Sequence, residues 1–198
     1  MKNVIGKLNI DWNDRVTELK PGYDKLGRPN KDVYFMNLCV AISKRSIDPN
    51  SKHGCVFVDQ DGGILSTGYN GPVRKSVDRQ VPLTAPDKYF FLEHSERNGI
   101  YQAARNGISL NNSIVYVTGF PCIDCLRGII QIGAKKIIYG PLQSVMIAGP
   151  DYLARVDRIL YCQKIKIERF AFDDVLFEMN PGLKEICDSR KQIHCEWQ

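Results

Sequence analysis

Apolar side chains recur three and four apart in some stretches of the chain and crowd into short β-branched runs in others, and the change of period predicts the order of elements. Within residues 32–46, Phe35, Leu38, Cys39 and Ile42 share a helical face, with Asp32 as the expected N-cap. "GCVFVDQDGGILSTGYN" gives two β-rich runs about a "DQDGG" turn, the pattern of a hairpin. Residues 71–93 are polar and hold three prolines, which predicts a long excursion before the next helix. "HSERNGIYQAARNG" reads as a helix ending at Gly107, "SIVYVTGF" as a strand, "PCIDCLRGIIQIG" as a helix ending at Gly133, and "KKIIYG" as a strand. "GPDYLARVDRILYC" then looks helical, and "KIKIERFAF" alternates like a strand.

Helices alternating with short strands imply an α/β fold: a three-layer α/β/α sandwich around a mixed sheet of about five strands, the later ones parallel. Residues 1–30, with Pro21, Gly22, Gly27 and Pro29 and little periodicity, read as an extension or arm over the core. The domain itself is expected over 31–172, and residues 173–198 carry no pattern that places them.

Composition narrows the class. At 198 residues, 43% hydrophobic and 25% charged, the chain reads as one soluble domain. No apolar run approaches the roughly 18 residues of a membrane span, and "MKNVIGKLNIDWNDR" is too polar for a signal peptide, so a cytoplasmic location is expected. Seven cysteines, an odd number, argue for reduced thiols or metal ligands over a disulfide framework. The net charge of +5 is spread in small pairs such as Lys44/Arg45 and Arg74/Lys75, which suits a phosphorylated small molecule as well as a polymer.

One stretch, "EHSERN", raises a geometric question. His94 and Glu96 stand two apart, and mid-helix side chains at that spacing diverge by about 200°. They can converge if His94 sits at the tip of its helix and a metal lies beyond that tip. Cys122 and Cys125, three apart on a helix expected to begin with Pro121 at its first position, can chelate the same ion. One imidazole and two thiolates leave Zn²⁺ a fourth position for water, whose pKa the ion lowers; Glu96 is placed to accept the proton. Taken singly, H-x-E is most often a surface pair and C-x-x-C a redox or buried dithiol. Their combination, 28 residues apart with Pro121 preceding, favours a catalytic Zn²⁺.

The residues His94-Ser95-Glu96 and Pro121-Cys122-Ile123-Asp124-Cys125 match the H-x-E…P-C-x-x-C signature of zinc nucleobase deaminases. "RSIDPNSKHGCVFVDQDGGILSTGYNGP" further resembles a block of the deoxycytidylate (dCMP) deaminases, and "HSERNGI" is similar to their "HAExNAI". The resemblance spans residues 34–140. It implies a cytidine deaminase-like fold and hydrolysis of dCMP to dUMP and ammonia, with His94, Cys122 and Cys125 on zinc and Glu96 moving protons. It places Asn70 and Asn98 at nucleotide-holding positions, and it calls for cations at the 5′-phosphate, for which Arg45, Arg74, Arg97 and Arg127 are candidates. It also implies a homo-oligomer with dCTP and dTTP as effectors near Gly68 to Gly71, an effector that would carry Mg²⁺. Ser95 and Gly99 depart from the usual alanines, a change expected to loosen the pocket floor, and residues 71–93 lack the Cys or His of an accessory structural zinc.

Plainer readings stand beside these. Asn70 also reads as a turn residue, Asn98 as a backbone partner, and each arginine as a solvated charge. His53 and His194 read as ordinary polar residues, a second cluster of Cys187, His194 and Cys195 as a remote prospect, and Tyr89, Phe90 and Phe91 as core-packing rings with one able to close over a base. Two rival functions remain. One is a deaminase of tRNA or single-stranded DNA with Arg74, Lys75, Arg79 and Lys88 as a backbone track, nucleic acid being the less expected partner. The other is an inactive zinc module that binds nucleotides, for which loss of the glutamate would be the mark; Glu96 is present.

Overall fold

The computed structural model describes residues 16–142, 150–161 and 163–171. Strands β1 (Val16–Leu19), β2 (Gly54–Val58), β3 (Ile64–Tyr69), β6 (Ile114–Val117), β7 (Lys136–Tyr139) and β8 (Lys166–Phe170) form one sheet in the order β1-β8-β7-β6-β2-β3. The β2 strand is antiparallel to both neighbours, whereas β6, β7, β8 and β1 run parallel, so the sheet is mixed. It has six strands where about five were expected. The sixth is β1, which lies in the supposed arm and pairs in register from Val16↔Ile167 to Leu19↔Phe170.

Strand alternation explains the layers. Cys55, Phe57, Val115, Val117 and Ile137 point to one face, where they pack with Ala103, Leu126, Ile129, Val156 and Leu160 from α3 (Ser95–Arg105), α4 (Ile123–Gln131) and α5 (Pro150–Leu160). The intervening Val56, Val58, Tyr116 and Ile138 point to the other, against Val33, Met36 and Cys39 of α1 (Lys31–Ser43). The three-layer sandwich thus follows from period-2 runs buried on both sides.

Helix α1 starts two residues earlier than expected. Its N-cap is Asn30, whose Oδ1 accepts from Val33 N at 2.9 Å, and Asp32 instead accepts from the Tyr116 hydroxyl at 2.7 Å. The "DQDGG" hairpin turn forms as expected, Asp59 Oδ1 taking the N–H groups of Asp61, Gly62 and Gly63.

The excursion over 71–93 is closed at its base. Strands β4 (Gly71–Pro72) and β5 (Leu92–Glu93) pair antiparallel, and between them stand a single 3₁₀ turn at Asp78–Gln80 and the one-turn helix α2 (Lys88–Phe91). This pairing delivers the chain to His94 directly off a hydrogen-bonded strand. The rings of α2 do not pack on the core as expected: Tyr89, Phe90 and Phe91 are 52%, 84% and 47% exposed. A single turn of helix has too few positions to bury three consecutive rings on one side.

Candidate active site

Two helix starts build the site. His94 is the N-cap of α3, in extended conformation (φ −74°, ψ 156°), and its carbonyl accepts from Asn98 N at 2.9 Å. Glu96 lies in the first turn of α3, so the half-in position of His94 removes the divergence that a mid-helix pair would suffer. Cys122 caps α4 in the same way (φ −64°, ψ 166°), with Cys125 in the first turn. Pro121 therefore precedes the cap and is not the first helical residue. Lacking an N–H, proline fits before the cap as readily as after it.

The three proposed ligand atoms converge. His94 Nδ1 lies 3.4 Å from Cys122 Sγ and 3.5 Å from Cys125 Sγ, and all three atoms lie within 4.8 Å of one another. Tetrahedral zinc with Zn–S about 2.3 Å and Zn–N about 2.0 Å would set N···S near 3.6 Å, so the donor set fits the ion in type and spacing. Both sulfurs are buried and the imidazole half-buried. A hydrogen bond from Cys125, helped by His94, lowers the Cys122 thiol to about 4, while that same contact and burial raise Cys125. The bond to Cys122 also raises His94, against the effect of its burial.

Glu96 is 5% exposed, and its Oε2 accepts from Ser95 Oγ at 2.8 Å. Burial raises its pKa above the usual carboxylate value, and the neighbouring charge of His94 opposes the rise. The floor beneath is tight, not loosened by Ser95 and Gly99. Ser95 is fully buried, and a Cβ on Gly99 would stand 2.5 Å from the ring of Phe57. A Cβ on Gly68 would lie 2.1 Å from Ser95 O, so β3 and α3 touch backbone to backbone. Cys55 Sγ to Ser95 O at 3.1 Å and Ser66 Oγ to Gly99 O at 2.7 Å lock that contact.

A cleft of about 80 Å³ opens over the site, lined by His94, Glu96 and Cys122 together with Asn70. Asn70 holds one wall: Oδ1 accepts from His53 N and Nδ2 donates to Ser51 O, both at 2.7 Å. The other substrate candidates are elsewhere. Asn98, Arg45 and Arg74 line a separate cavity of about 830 Å³ with Gly68, Lys75 and Arg105, and Asn98 Nδ2 donates to Tyr69 O at 2.8 Å. Arg97 pairs with Glu93, and Arg127 with Asp124.

Four site residues escaped the reading by motif. Asp48 and Lys88 form a buried ion pair at 2.9 Å on the cleft wall; His53, read as an ordinary polar residue, lines the same cleft with Nδ1 3.2 Å from Thr118 Oγ1. Tyr152, on α5, accepts the first N–H of α4, from Ile123, at 2.7 Å. Only the "DP" of the resembling block hinted at Asp48; the others had no sequence signal. The proposed cluster of Cys187, His194 and Cys195 lies outside the described residues.

Comparison with known proteins gives the same direction. Residues 29–141 match the family model described as the cytidine and deoxycytidylate deaminase zinc-binding region. A probable deoxycytidylate deaminase of Drosophila melanogaster is 34% identical over 54% of this chain, which spans only 58% of that relative's length. The deoxycytidylate deaminase of Enterobacteria phage T4 is 50% identical over 52% of this chain and 74% of its own. Among solved structures, the dCMP deaminase of cyanophage S-TIM5 in complex with dCMP and dUMP superposes with a TM-score of 0.53 at 25% identity, covering 69% of this chain and 93% of that one. With a family model matched across more than half its length, the chain belongs to the cytidine and deoxycytidylate deaminase family.

Proposed function

We propose that the protein hydrolyses the exocyclic amine of a cytosine nucleotide, converting dCMP and water to dUMP and ammonia. The observation that carries this reading is the convergence of His94 Nδ1 with the two sulfurs at 3.4 and 3.5 Å beside the buried carboxyl of Glu96. Similarity to the deoxycytidylate deaminases of the fly, phage T4 and cyanophage S-TIM5 supports the choice of dCMP.

His94, Cys122 and Cys125 would hold Zn²⁺, which when bound supplies the Lewis acidity that activates water for attack at C4. Glu96 takes the proton released by the attacking water, passes it to ring N3, and assists protonation of the departing amine as the C4–N bond breaks. Its burial favours holding that proton between steps, and the Ser95 hydroxyl fixes the orientation of the carboxyl. Asn70 keeps Ser51 and His53 on the opposite wall, and its remaining N–H and lone pair suit a base or sugar edge.

The polymer alternative finds less support. Arg74 and Lys75 line the other cavity and Lys88 is buried against Asp48, so the basic track is broken among the described residues. The inactive-module alternative is disfavoured by Glu96 standing in the cleft. A nucleotide effector is best accommodated in the larger cavity, where Arg45, Arg74, Lys75 and Arg105 offer charge to a polyphosphate. Asp78 is the lone carboxylate among its described lining residues, which lends no support to the expected Mg²⁺. Exposed Tyr89, Phe90 and Phe91 favour assembly into a homo-oligomer.

The test is ammonia release from a panel of dCMP, CMP, cytidine, dCTP, guanine and single-stranded DNA. The expected result is a preference for dCMP that changes little with salt. Preference for guanine, or for DNA with a steep loss on added salt, would overturn the reading.

A further inference from the structure

The cleft over Glu96 has a cation problem. The arginines expected at a phosphate lie in the other cavity or are paired with Glu93 and Asp124. Among the described residues lining the cleft, Lys88 is the single lysine or arginine.

Lys88 is also an anomaly in its own right. Its side chain is 8% exposed and that of its partner Asp48 is 4% exposed, a depth that lysine almost never reaches unless paired. An ammonium has three N–H donors. Among the described residues Asp48 Oδ2, at 2.9 Å, is the one hydrogen-bond acceptor of Nζ, and the ammonium also stands over the Tyr89 ring, 5.4 Å from its centroid. Asp48 does not depend on Lys88 for its own satisfaction, since Oδ1 already takes the N–H groups of Asn50 at 2.9 Å and Ser51 at 3.2 Å. The arrangement leaves a desolvated cation with spare donors on the wall of a cleft that would receive an anion.

We propose that Lys88 recognises the 5′-phosphate of the nucleotide and so determines specificity for nucleotide over nucleoside, Asp48 holding the ammonium on the cleft wall until phosphate oxygens occupy its spare N–H groups. This rests on the nucleotide reading above. A compact ammonium on a flexible stem can engage a phosphate as a point charge without a forked guanidinium. Desolvation strengthens that interaction relative to a solvent-exposed lysine.

The test measures binding of dUMP and deoxyuridine by calorimetry to the zinc-loaded parent protein and to Lys88→Met, Lys88→Arg and Asp48→Asn. Lys88→Met is expected to weaken dUMP at least tenfold while moving deoxyuridine less than twofold, and Lys88→Arg to recover most of the loss. Asp48→Asn keeps the cation and an oxygen acceptor to hold it while removing the neighbouring negative charge that repels phosphate, so dUMP should bind at least as tightly as to the parent. Equal weakening of dUMP and deoxyuridine by Lys88→Met, weakening of dUMP by Asp48→Asn as great as by Lys88→Met, or a parent that binds the two ligands alike would each overturn the proposal. Should Lys88→Met fail to fold around a lone buried carboxylate, the double variant Asp48→Asn/Lys88→Met decides by the same ratio of affinities. Because binding is read without turnover, a parent that binds dUMP selectively but does not deaminate dCMP would contradict the deaminase reading and leave phosphate recognition by Lys88 upheld.

Discussion

Glu96, the proposed proton carrier, works against the fold that holds it. Burial raises its pKa, so the folded protein binds a proton more tightly there than the unfolded chain does. The cost is absent below the unfolded carboxylate range and fully present once pH exceeds the raised folded value. Glu96→Gln should therefore raise the Tm of the metal-free protein at pH 7 and give little gain at pH 4, which thermal melts across that range would check. In the zinc-loaded protein Glu96→Ala is expected to retain metal and lose turnover, whereas Cys125→Ala should lose both; metal analysis beside an ammonia assay separates the two. Gly99→Ala would press a methyl to 2.5 Å from Phe57, costing about 1–3 kcal/mol in denaturant melts, with Phe57→Leu relieving part of it. His94, Glu96, Cys122 and Cys125 were legible in the sequence because metal chemistry constrains both residue type and spacing. Lys88 and His53 were not, because they reach the cleft only through the folding of an excursion and a strand start that no local pattern aims.

The elements matter here mainly for where they begin. Both helices that carry the proposed ligands start on an extended residue that is itself one of them, and such a start brings two nearby side chains to one point in space. Sequence periodicity located the helices, yet it missed the starts of α1 and α4 by two residues each, because Asp32 and Pro121 are acceptable caps or first residues on propensity alone. Tertiary partners decided: Tyr116 engages Asp32, and Tyr152 supplies the acceptor for the first N–H of α4. Tyr152→Phe should leave that N–H unpaired, cost about 1 kcal/mol in thermal or chemical melts, and speed loss of zinc to a chelator. Unchanged zinc release would mean that α4 holds its ligands without help from α5.

At the scale of the whole molecule, a mixed sheet buried on both faces sets two cavities on either side of the β3–α3 contact: a small cleft at the ligand cluster and a larger basic one. The layers and the parallel pairing of the later strands were legible, since two-sided burial leaves near-continuous apolar runs. The edge strand β1 was not, for "VTEL" is four residues long and lacks a clear alternation. The division of basic residues between cavities was equally hidden, being a property of the assembled sheet. The most direct measurement is made on the purified protein with its metal quantified, following dCMP, dUMP and ammonia before chelation, after it, and after zinc is returned. The expected result is a single zinc per chain, equal amounts of dUMP and ammonia, activity that leaves and returns with the metal, and none from Glu96→Ala. A fully zinc-loaded protein that leaves dCMP unchanged at neutral pH would contradict the assignment.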